Sequence, residues 1–334
     1  MTAAALQKKL ERAVGESPAP KRKTVALIVP VFNEAGSVTP FLRAVGAVLD
    51  PIESGHLGFE FIFVNDGSTD STLETLVAAQ KADARIRIVD LSRNFGKEAA
   101  LTAGLDACDA DAAIPIDVDL QDPPDVIPQM LAHWRDGSQV VIARRMDRST
   151  DTLVKSKTAG MFYRVHNVLS KTQIPENVGD FRLMDRAVLD VLKDMPERRR
   201  FMKGLFAWVG FDTAVVEYKR AARAGGRSSF TPWKLWNLAL EGITSFSNIP
   251  LEIWGYVGGV ISALAFLYGG LLTGRALFFG ADVPGYTSLM VSILFLGGVQ
   301  LIGIGVLGQY LGRVYEEVKQ RPVYVVRKIY ESED

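Results

Sequence analysis

The sequence predicts an α/β domain with a mostly parallel, Rossmann-like sheet, followed by a C-terminal hairpin of two transmembrane helices. Two observations support this fold class. Short apolar segments alternate with helical patterns through the first 145 residues, and two long uncharged stretches follow residue 250. A length of 334 residues and a hydrophobic content of 48% suffice for a packed core and exclude an intrinsically disordered chain.

The alternating segments predict five strands joined by helices. The strands are predicted at residues 24–32, 59–66, 85–92, 111–119 and 138–145. The helices between them are predicted at residues 36–49, 69–82, 97–108 and 123–136. The first four strands are apolar and run directly into turn residues, as buried parallel strands do. In such a sheet, ligands bind at the carboxyl ends of the strands.

Two uncharged stretches near the C-terminus predict the membrane hairpin. Residues 253–274 give 22 uncharged positions and residues 283–312 give 30. As helices they would extend roughly 33 and 45 Å at about 1.5 Å per residue, enough to cross a hydrocarbon core of about 30 Å. Buried core helices are the alternative, but soluble helices of this length rarely lack a charge. The spacing of Gly308 and Gly312 is compatible with helix packing in a homo-oligomer.

The placement of lysine and arginine predicts the orientation in the membrane. The loop between the uncharged stretches carries Arg275 alone, whereas five basic residues follow the second stretch. The positive-inside rule therefore places the α/β domain and both termini in the cytoplasm, as in a protein of the bacterial inner membrane. The predicted divisions are an N-terminal helix and linker at 1–23, the α/β domain at 24–230, an interfacial amphipathic helix at 231–248, two transmembrane helices at 249–312 and a cytosolic tail at 313–334.

Composition and charge limit the function classes. The formal net charge is zero, which argues against a protein that binds nucleic acid over its whole surface. Cys108 is the single cysteine, so an internal disulfide framework and a cysteine-based zinc cluster are excluded. Acidic side chains concentrate in residues 50–126 and basic ones in residues 144–234. This separation suggests metal binding in the first region and contact with anionic lipid or phosphate in the second, although two solvated faces would give the same pattern.

Polar side chains follow the predicted strands at the edge where ligands are expected. The first strand ends in the segment VPVFNE and the second in VNDGSTD. A carboxylate such as Asp66 at this position can accept hydrogen bonds from ribose hydroxyls or a base edge. The chain lacks G-x-G-x-x-G after the first strand and G-x-x-x-x-G-K-[ST] anywhere. Dinucleotide-binding and P-loop interpretations therefore lose their main support.

Asp117, Asp119 and Gln121 end the fourth predicted strand. In an extended chain, residues i, i+2 and i+4 share a face, so we expect their oxygens to converge. Carboxylate and amide oxygens suit Mg²⁺ or Mn²⁺, and a diphosphate can complete the coordination. A lone D-x-D is more often a surface turn, but here it follows an apolar strand. These three residues are therefore the predicted ligands of a divalent metal ion.

Taken together, VPVFNE, VNDGSTD, RNFGKEAAL, DVDLQDPP and the C-terminal hairpin resemble the polyisoprenyl-phosphate branch of the family 2 glycosyltransferases. The resemblance implies a GT-A fold and an inverting transfer of one sugar from a nucleotide diphosphate sugar to a polyprenyl phosphate. UDP-glucose and undecaprenyl phosphate are the expected donor and acceptor. Mannose, GlcNAc or an aminoarabinose derivative are alternative sugars, and an inactive nucleotide-sugar-binding scaffold is an alternative of a different class.

The resemblance also implies residue roles at the donor site. Donor-binding roles fall on Pro30, Phe32, Glu34, Asp66, Lys97, Asp117, Val118 and Gln121. Phe32 stands where the family commonly has tyrosine, so ring stacking is kept while a hydroxyl contact is lost. Asp117, Asp119 and Gln121 match the metal and diphosphate motif, and Asp119 is a catalytic candidate.

Cationic contacts to the phosphates follow from the same resemblance. Arg145 matches an arginine near the donor phosphates, and Arg144 is its rival because the usual Gly-Ser before the arginine is absent. The segment RAGGRSS at 223–229 resembles an R-x-x-G-x-S-K stretch, which makes Arg223 a catalytic candidate and Ser228 a binding candidate. The basic region offers further candidates in Lys155, Lys157 and Arg164.

Asp180 has two interpretations. It is a candidate general base or sugar-positioning residue, and it is equally well explained as the ion-pair partner of Arg182 or Arg186. The acceptor phosphate is already anionic near neutral pH, so its attack on C1 of the sugar needs positioning more than a strong base.

Overall fold

The structure is a computed structural model that describes residues 22–54, 56–146, 178–195, 197–198, 200, 202–218, 249–279 and 285–331. The predicted N-terminal helix, up to residue 21, lies outside these described residues, as does the predicted interfacial helix at 231–248. Within the described part, one eight-stranded sheet carries helices on both faces, and two long helices follow it.

The elements alternate along the chain as the sequence predicts. The strands are β1 (Lys23–Val31), β2 (Leu57–Asn65), β3 (Ile86–Leu91), β4 (Ala112–Pro115), β5 (Val140–Arg145), β6 (Val178–Asp185), β7 (Thr213–Tyr218) and β8 (Val326–Tyr330). The helices are α1 (Ala35–Leu49), α2 (Thr72–Ala82), α3 (Lys97–Asp106), α4 (Ile127–Arg135, preceded by a 3-10 turn at Pro124–Val126), α5 (Arg186–Asp194), α6 (Met202–Trp208), α7 (Ile249–Phe279) and α8 (Tyr286–Lys319).

The sheet is mostly parallel, which confirms the predicted α/β class. Its strand order is β7-β5-β6-β4-β1-β2-β3-β8. Strands β4, β1, β2 and β3 are parallel neighbours, and β5 is parallel to β7. Strand β6 runs antiparallel between β4 and β5, and β8 runs antiparallel on the outer side of β3. The carboxyl ends of β1, β2, β3 and β4 therefore meet at one edge of the sheet.

Both faces of the sheet are buried, because alternate residues of each central strand enter different cores. In β1, Val25 and Leu27 pack with α1, α2 and α4 on one face. Ala26 and Ile28 pack with α3, α5 and α6 on the other face. Because both faces of the sheet are covered by helices, the central strands are continuous apolar segments and do not alternate between apolar and polar residues.

The fourth strand differs from the prediction. It ends at Pro115, whereas the apolar pattern predicts a strand over 111–119. The chain turns at residues 118–120, where Leu120 has a left-handed φ of 56°. Strands β6, β7 and β8 were not predicted, and β8 lies in the segment for which the sequence predicts only a tail.

Two long helices follow the sheet where the membrane hairpin is predicted. The segments Ile253–Leu271 and Phe295–Lys319 are long and apolar enough to cross a membrane. Only 0% and 6% of the residues in their most apolar stretches are buried. Exposed apolar side chains on both helices argue against the alternative of buried core helices. Helix α8 continues to Lys319, past the predicted end of the span at residue 312.

Close packing of α3 on the sheet generates a stability prediction. A Cβ at Gly104 would lie 2.3 Å from Cγ2 of Ile28 and 3.1 Å from Cγ2 of Val64, so we expect Gly104→Ala to lower the free energy of unfolding by about 1–3 kcal/mol through overpacking. Thermal or urea denaturation of the purified protein measures the change.

Gly36→Ala is the matched control for Gly104→Ala. Gly36 lies in α1, and a Cβ there would meet nothing within 4 Å. This variant should be neutral or up to about 1 kcal/mol more stable, because alanine has the higher helix propensity. Equal stability of the two variants would contradict the described packing of α3 on β1 and β2.

Candidate active site at the carboxyl edge of the sheet

A cavity of about 300 Å³ lies at the edge of the sheet where ligands are expected. It is formed by the segments that follow β1, β2 and β4, together with the loop that leads from β3 into α3. Its lining residues are Pro30, Val31, Phe32, Glu34, Asp66, Asn94, Gly96, Lys97, Ala100, Asp117, Val118 and Asp119. Eight of these twelve are candidates from the sequence; the exceptions are Val31, Asn94, Gly96 and Ala100.

The loops after β1 and β2 are joined to each other. Asn33 adopts a left-handed φ of 55°, and its Oδ1 accepts a hydrogen bond from the Thr69 N–H at 2.8 Å. The N–H of Glu34 donates to Oγ1 of Thr72 at 2.9 Å. These bonds hold the segment that carries Phe32, whose ring is 44% exposed at the cavity. The aromatic ring of Phe32 is therefore available to contact a ligand in the cavity.

Asp66 holds the loop of residues 92–96, which forms another wall of the cavity. Its Oδ1 accepts from the Phe95 N–H at 2.7 Å, and its Oδ2 accepts from the Gly96 N–H at 2.9 Å. Burial raises the pKa of Asp66, and the two N–H donors act in the opposite direction. Each carboxylate oxygen keeps a second lone pair, so Asp66 can bind the loop and still accept from a ligand.

The 92–96 loop also packs tightly against Gly67. This glycine has a left-handed φ of 65°, and a Cβ on it would lie 2.3 Å from the carbonyl carbon of Arg93. Only glycine satisfies both the dihedral angle and the close approach. The segment NDG at 65–67 therefore does more than form a turn, because Gly67 packs directly against the backbone of the 92–96 loop.

Lys97 links the two sides of the cavity by ion pairs. Its Nζ lies 2.7 Å from Oδ1 of Asp117, which follows β4, and 2.9 Å from Oδ2 of Asp180 on β6. Burial opposes the lysine charge, but the two carboxylates outweigh it and raise the pKa of Lys97. Burial likewise opposes the charge of Asp180, while Lys97 and Lys203 outweigh it and lower the pKa of that carboxyl. Lys97 and Asp180 are therefore both ionised near neutral pH.

Asp117 and Asp119 both line the cavity, but not by the predicted geometry. The expectation that Asp117, Asp119 and Gln121 share one face of an extended strand is wrong, because the chain turns at 118–120. Gln121 is buried, and both its N–H and its side-chain amide donate to Asp119, at 3.1 and 2.5 Å. Gln121 orients the Asp119 carboxylate and is not among the lining residues.

The arginines at the end of β5 do not line this cavity in the described part of the chain. Arg144 forms an ion pair with Glu217, its register partner on β7. This ion pair gives Arg144 a carboxylate partner in place of the predicted phosphate. Arg145 is half-buried on the following position of the strand. Arg223, Ser228, Lys155, Lys157 and Arg164 lie outside the described residues.

Asp180 is not in an ion pair with Arg182 or Arg186 as predicted, although the Arg182 guanidinium is close enough to act on its carboxylate electrostatically. Asp180 pairs with Lys97, as described above, whereas the Arg182 guanidinium donates to the carbonyl of Gly179 at 2.7 Å. Arg186 pairs with Asp190 one turn further along α5. Asp180 therefore acts on the cavity through Lys97.

The cavity offers donors suited to a divalent cation held together with a diphosphate. No group of three or more His, Cys, Asp or Glu side chains that could hold a metal by itself occurs among the described residues. The two carboxylates of Asp117 and Asp119 are hard oxygen donors in one cavity, and the Lys97 ammonium beside Asp117 indicates that a positive charge is stable there. This set fits a Mg²⁺ or Mn²⁺ ion that takes its remaining ligands from phosphate and water.

Comparison with known proteins places the chain among glycosyltransferases. Residues 26–192 match the profile of "Glycosyl transferase family 2". The SfII prophage-derived bactoprenol glucosyl transferase of Shigella flexneri is 53% identical over 306 residues, which cover 91% of this chain and 97% of the relative. A prophage bactoprenol glucosyl transferase homologue of Escherichia coli K12 is 52% identical over 91% of this chain and 99% of its own. An uncharacterised glycosyltransferase of Synechocystis is 49% identical over 92% of this chain and 95% of its own.

Glu98, next to Lys97, generates a pH prediction. Burial, followed by the nearby charge of Asp180, raises the pKa of Glu98 from its ordinary 4.5 to about 7. Between these two pH values the unfolded chain binds fewer protons than the folded protein, so the free energy of unfolding falls as the pH rises, by on the order of 2–3 kcal/mol. Glu98→Gln keeps an acceptor for the Met202 N–H and removes the ionisation.

We therefore expect Glu98→Gln to be more stable than the wild-type protein above pH 7, with the advantage vanishing near pH 4.5. Melting curves from pH 4 to 9 measure this, and Glu74→Gln, at an exposed position of α2, controls for the loss of a carboxylate elsewhere. If the melting temperatures of the wild-type protein and of Glu98→Gln differed by the same amount at every pH, Glu98 would ionise normally.

Proposed function

The chain belongs to glycosyltransferase family 2, and from this premise we propose that it transfers glucose from UDP-glucose to a polyprenyl phosphate, undecaprenyl phosphate in particular. The observation that carries the proposal is 53% identity with bactoprenol glucosyl transferases over 91% of the chain. In the reaction, the bond between C1 of the sugar and the UDP phosphate breaks. A bond from C1 to an oxygen of the acceptor phosphate forms on the opposite face, with inversion.

The nucleoside would bind at the side of the cavity formed after β1 and β2. The exposed ring of Phe32 is suited to stacking on a base, and Glu34 and Asp66 are suited to accepting hydrogen bonds from the base or the ribose. Pro30 lines the same side of the cavity. A surface that combines an aromatic ring with carboxylates favours a nucleotide over a simple phosphate.

The diphosphate would lie between Lys97 and the carboxylates after β4. Asp117 and Asp119 would hold a Mg²⁺ or Mn²⁺ ion, which when bound supplies neutralisation of the departing UDP. Lys97 and the N-terminus of α3 add positive charge on the same side of the cavity. Gln121 keeps the Asp119 carboxylate in one orientation for this task.

Asp180 would position Lys97 rather than remove a proton. Its lowered pKa makes it a weak base, and the acceptor phosphate carries no proton that must be removed near neutral pH. The paired Asp180 and Asp117 keep the Lys97 ammonium in place before the donor binds. This arrangement supplies electrostatic stabilisation without reorganisation at the moment of transfer.

The acceptor would reach the cavity from the membrane. The exposed apolar surfaces of α7 and α8 suit contact with lipid, and the distribution of basic residues favours a cytoplasmic α/β domain with both termini on that side. Arg145, Arg223 and Ser228 remain predicted contacts of the donor or acceptor phosphates, and a homo-oligomer remains a prediction from the glycine spacing in α8.

A transfer assay tests the proposed function. Purified full-length protein is incubated with undecaprenyl phosphate, Mn²⁺ or Mg²⁺ and a panel of radiolabelled nucleotide sugars, and label in the lipid phase is counted. Transfer of label from UDP-glucose alone supports the proposal. Transfer from a different donor would mean that the enzyme transfers the sugar of that donor and not glucose. UDP binding without transfer from any donor would favour a nucleotide-sugar-binding scaffold.

We expect Asp119→Asn to reduce transfer at least about 100-fold, because the neutral amide removes the negative charge that holds the cation, and this cation neutralises the leaving diphosphate. Asp119 lies in a turn outside the hydrophobic core, so the melting temperature should change little. Asp125→Asn, exposed on the 3-10 turn a few residues away, should keep wild-type activity. Full activity of Asp119→Asn would remove Asp119 from the metal site.

We expect Phe32→Ala to raise the KM for the donor about tenfold with a smaller effect on kcat, because stacking of a base on an aromatic ring contributes about 1–3 kcal/mol to binding. Phe32→Tyr should keep the wild-type KM. Initial rates at varied donor and saturating acceptor measure both parameters. An unchanged KM for Phe32→Ala would place the base elsewhere.

A further inference from the structure

The segment after the second long helix returns to the α/β domain. Helix α8 ends at Lys319, and residues 320–325 lead into β8, which pairs antiparallel with β3 at the edge of the sheet. The pairing joins Ile88 to Tyr330 and Asp90 to Lys328. The chain therefore connects the apolar hairpin directly to the strand whose end leads into the cavity wall.

Three contacts fix this segment to the 92–96 loop and to the end of β3. The N–H of Ser92 donates to the carbonyl of Val325 at 2.8 Å. The Arg327 guanidinium donates through Nη2 to the carbonyl of Ser92 at 2.6 Å, and its Nη1 lies 3.4 Å from Oδ2 of Asp90. Asp90 is 1% exposed and accepts from the side-chain amide of Asn65 at 2.8 Å. One arginine thus compensates a buried carboxylate and binds the first residue of the loop.

A fourth contact reaches the helix that follows the loop. The hydroxyl of Tyr324 donates to Oδ2 of Asp106 at 2.7 Å, and its ring packs against the core on the α3 side of the sheet. Asp106 is the last residue of α3, and Lys97 is the first. The returning segment therefore contacts the loop before α3 and the end of α3 itself.

We propose that this C-terminal strand is a positioning element of the donor cavity, with Arg327 as its principal residue. The inference rests on the proposed function, since it assigns the strand to the binding of the nucleotide diphosphate. Within the described residues, the hydrogen-bond and ion-pair partners of the Arg327 side chain are Asp90 and Ser92, neither of which lines the cavity. Arg327 therefore acts through the 92–96 loop, which Asp66 holds from the cavity side and Arg327 holds from the outer side.

The loop depends on contacts from both sides because its backbone is irregular. Residues 92–96 form neither helix nor strand, and Gly96 has a φ of 97°. Such a segment is costly to order unless several contacts fix it. Asp66 fixes Phe95 and Gly96 at one end of the loop, and the Val325 carbonyl and Arg327 fix Ser92 at the other end. Loss of the Arg327 contact leaves Ser92 with the Val325 bond alone, so the loop should move more and the positions of Asn94, Gly96 and Lys97 should become less defined.

The test compares Arg327→Ala with Lys328→Ala in the full-length protein. Lys328 is exposed on the same strand, and its ammonium lies over the ring of Tyr330 at 4.4 Å, so the control removes an equal charge without touching the loop. We expect Arg327→Ala to weaken UDP binding about three- to tenfold and to raise the donor KM equally, with kcat within about twofold and the acceptor KM unchanged. Arg327→Lys should be intermediate, because an ammonium lacks the second donor arm.

Amide hydrogen exchange separates positioning from a general loss of stability. The N–H groups of Phe95 and Gly96 should exchange about tenfold faster in Arg327→Ala and at the wild-type rate in Lys328→Ala. Unchanged exchange and unchanged UDP affinity in Arg327→Ala would overturn the proposal, and so would faster exchange spread evenly over β1 and β2. If the wild-type protein failed to bind UDP, the proposed function would fall, while the exchange rates would still decide whether Arg327 positions the loop.

Discussion

The ion pairs of Lys97 with Asp117 and Asp180 fix the arrangement on which the rest of the cavity depends. They join the start of α3, the end of β4 and strand β6, three elements that are distant in sequence. Without the ammonium, two carboxylates would face each other across a partly enclosed space, and their repulsion would open it. One lysine offsets only one of its two carboxylates, so an anionic ligand needs further positive charge, which the helix N-terminus supplies in part and a bound cation would complete.

The second constraint is the anchoring of the 92–96 loop from opposite sides. Asp66 and Gly67 hold it from the cavity side, and the C-terminal strand holds it from outside. A strand that follows the apolar hairpin thereby becomes part of the sheet that builds the site. The apolar helices and the cavity are thereby joined through one continuous segment, which suits the proposed reaction between a soluble nucleotide sugar and a lipid phosphate.

Most of the fold could be predicted from sequence because the central strands are short apolar runs separated by clear helical patterns. Strand β4 is shorter than its pattern suggests, because the apolar residues Ile116 and Val118 are buried beyond the end of the strand. Strand β8 could not be predicted, since its partner β3 lies more than 230 residues earlier and the sequence carries no signal for that pairing. The motifs predicted Phe32, Asp66, Lys97 and Asp119, which all line the cavity, but the Lys97–Asp180 pair depends on the position of β6, which local patterns do not encode.

The most direct measurement is a calorimetric titration of the full-length protein with UDP, in the presence and absence of Mn²⁺. A diphosphate site completed by a cation between Asp117 and Asp119 requires binding that tightens at least about tenfold with the ion, since the ion adds ligand bonds that the protein alone does not provide. Equal affinity with and without Mn²⁺, or binding that survives Asp117→Asn unchanged, would contradict the assignment of this cavity to the donor diphosphate.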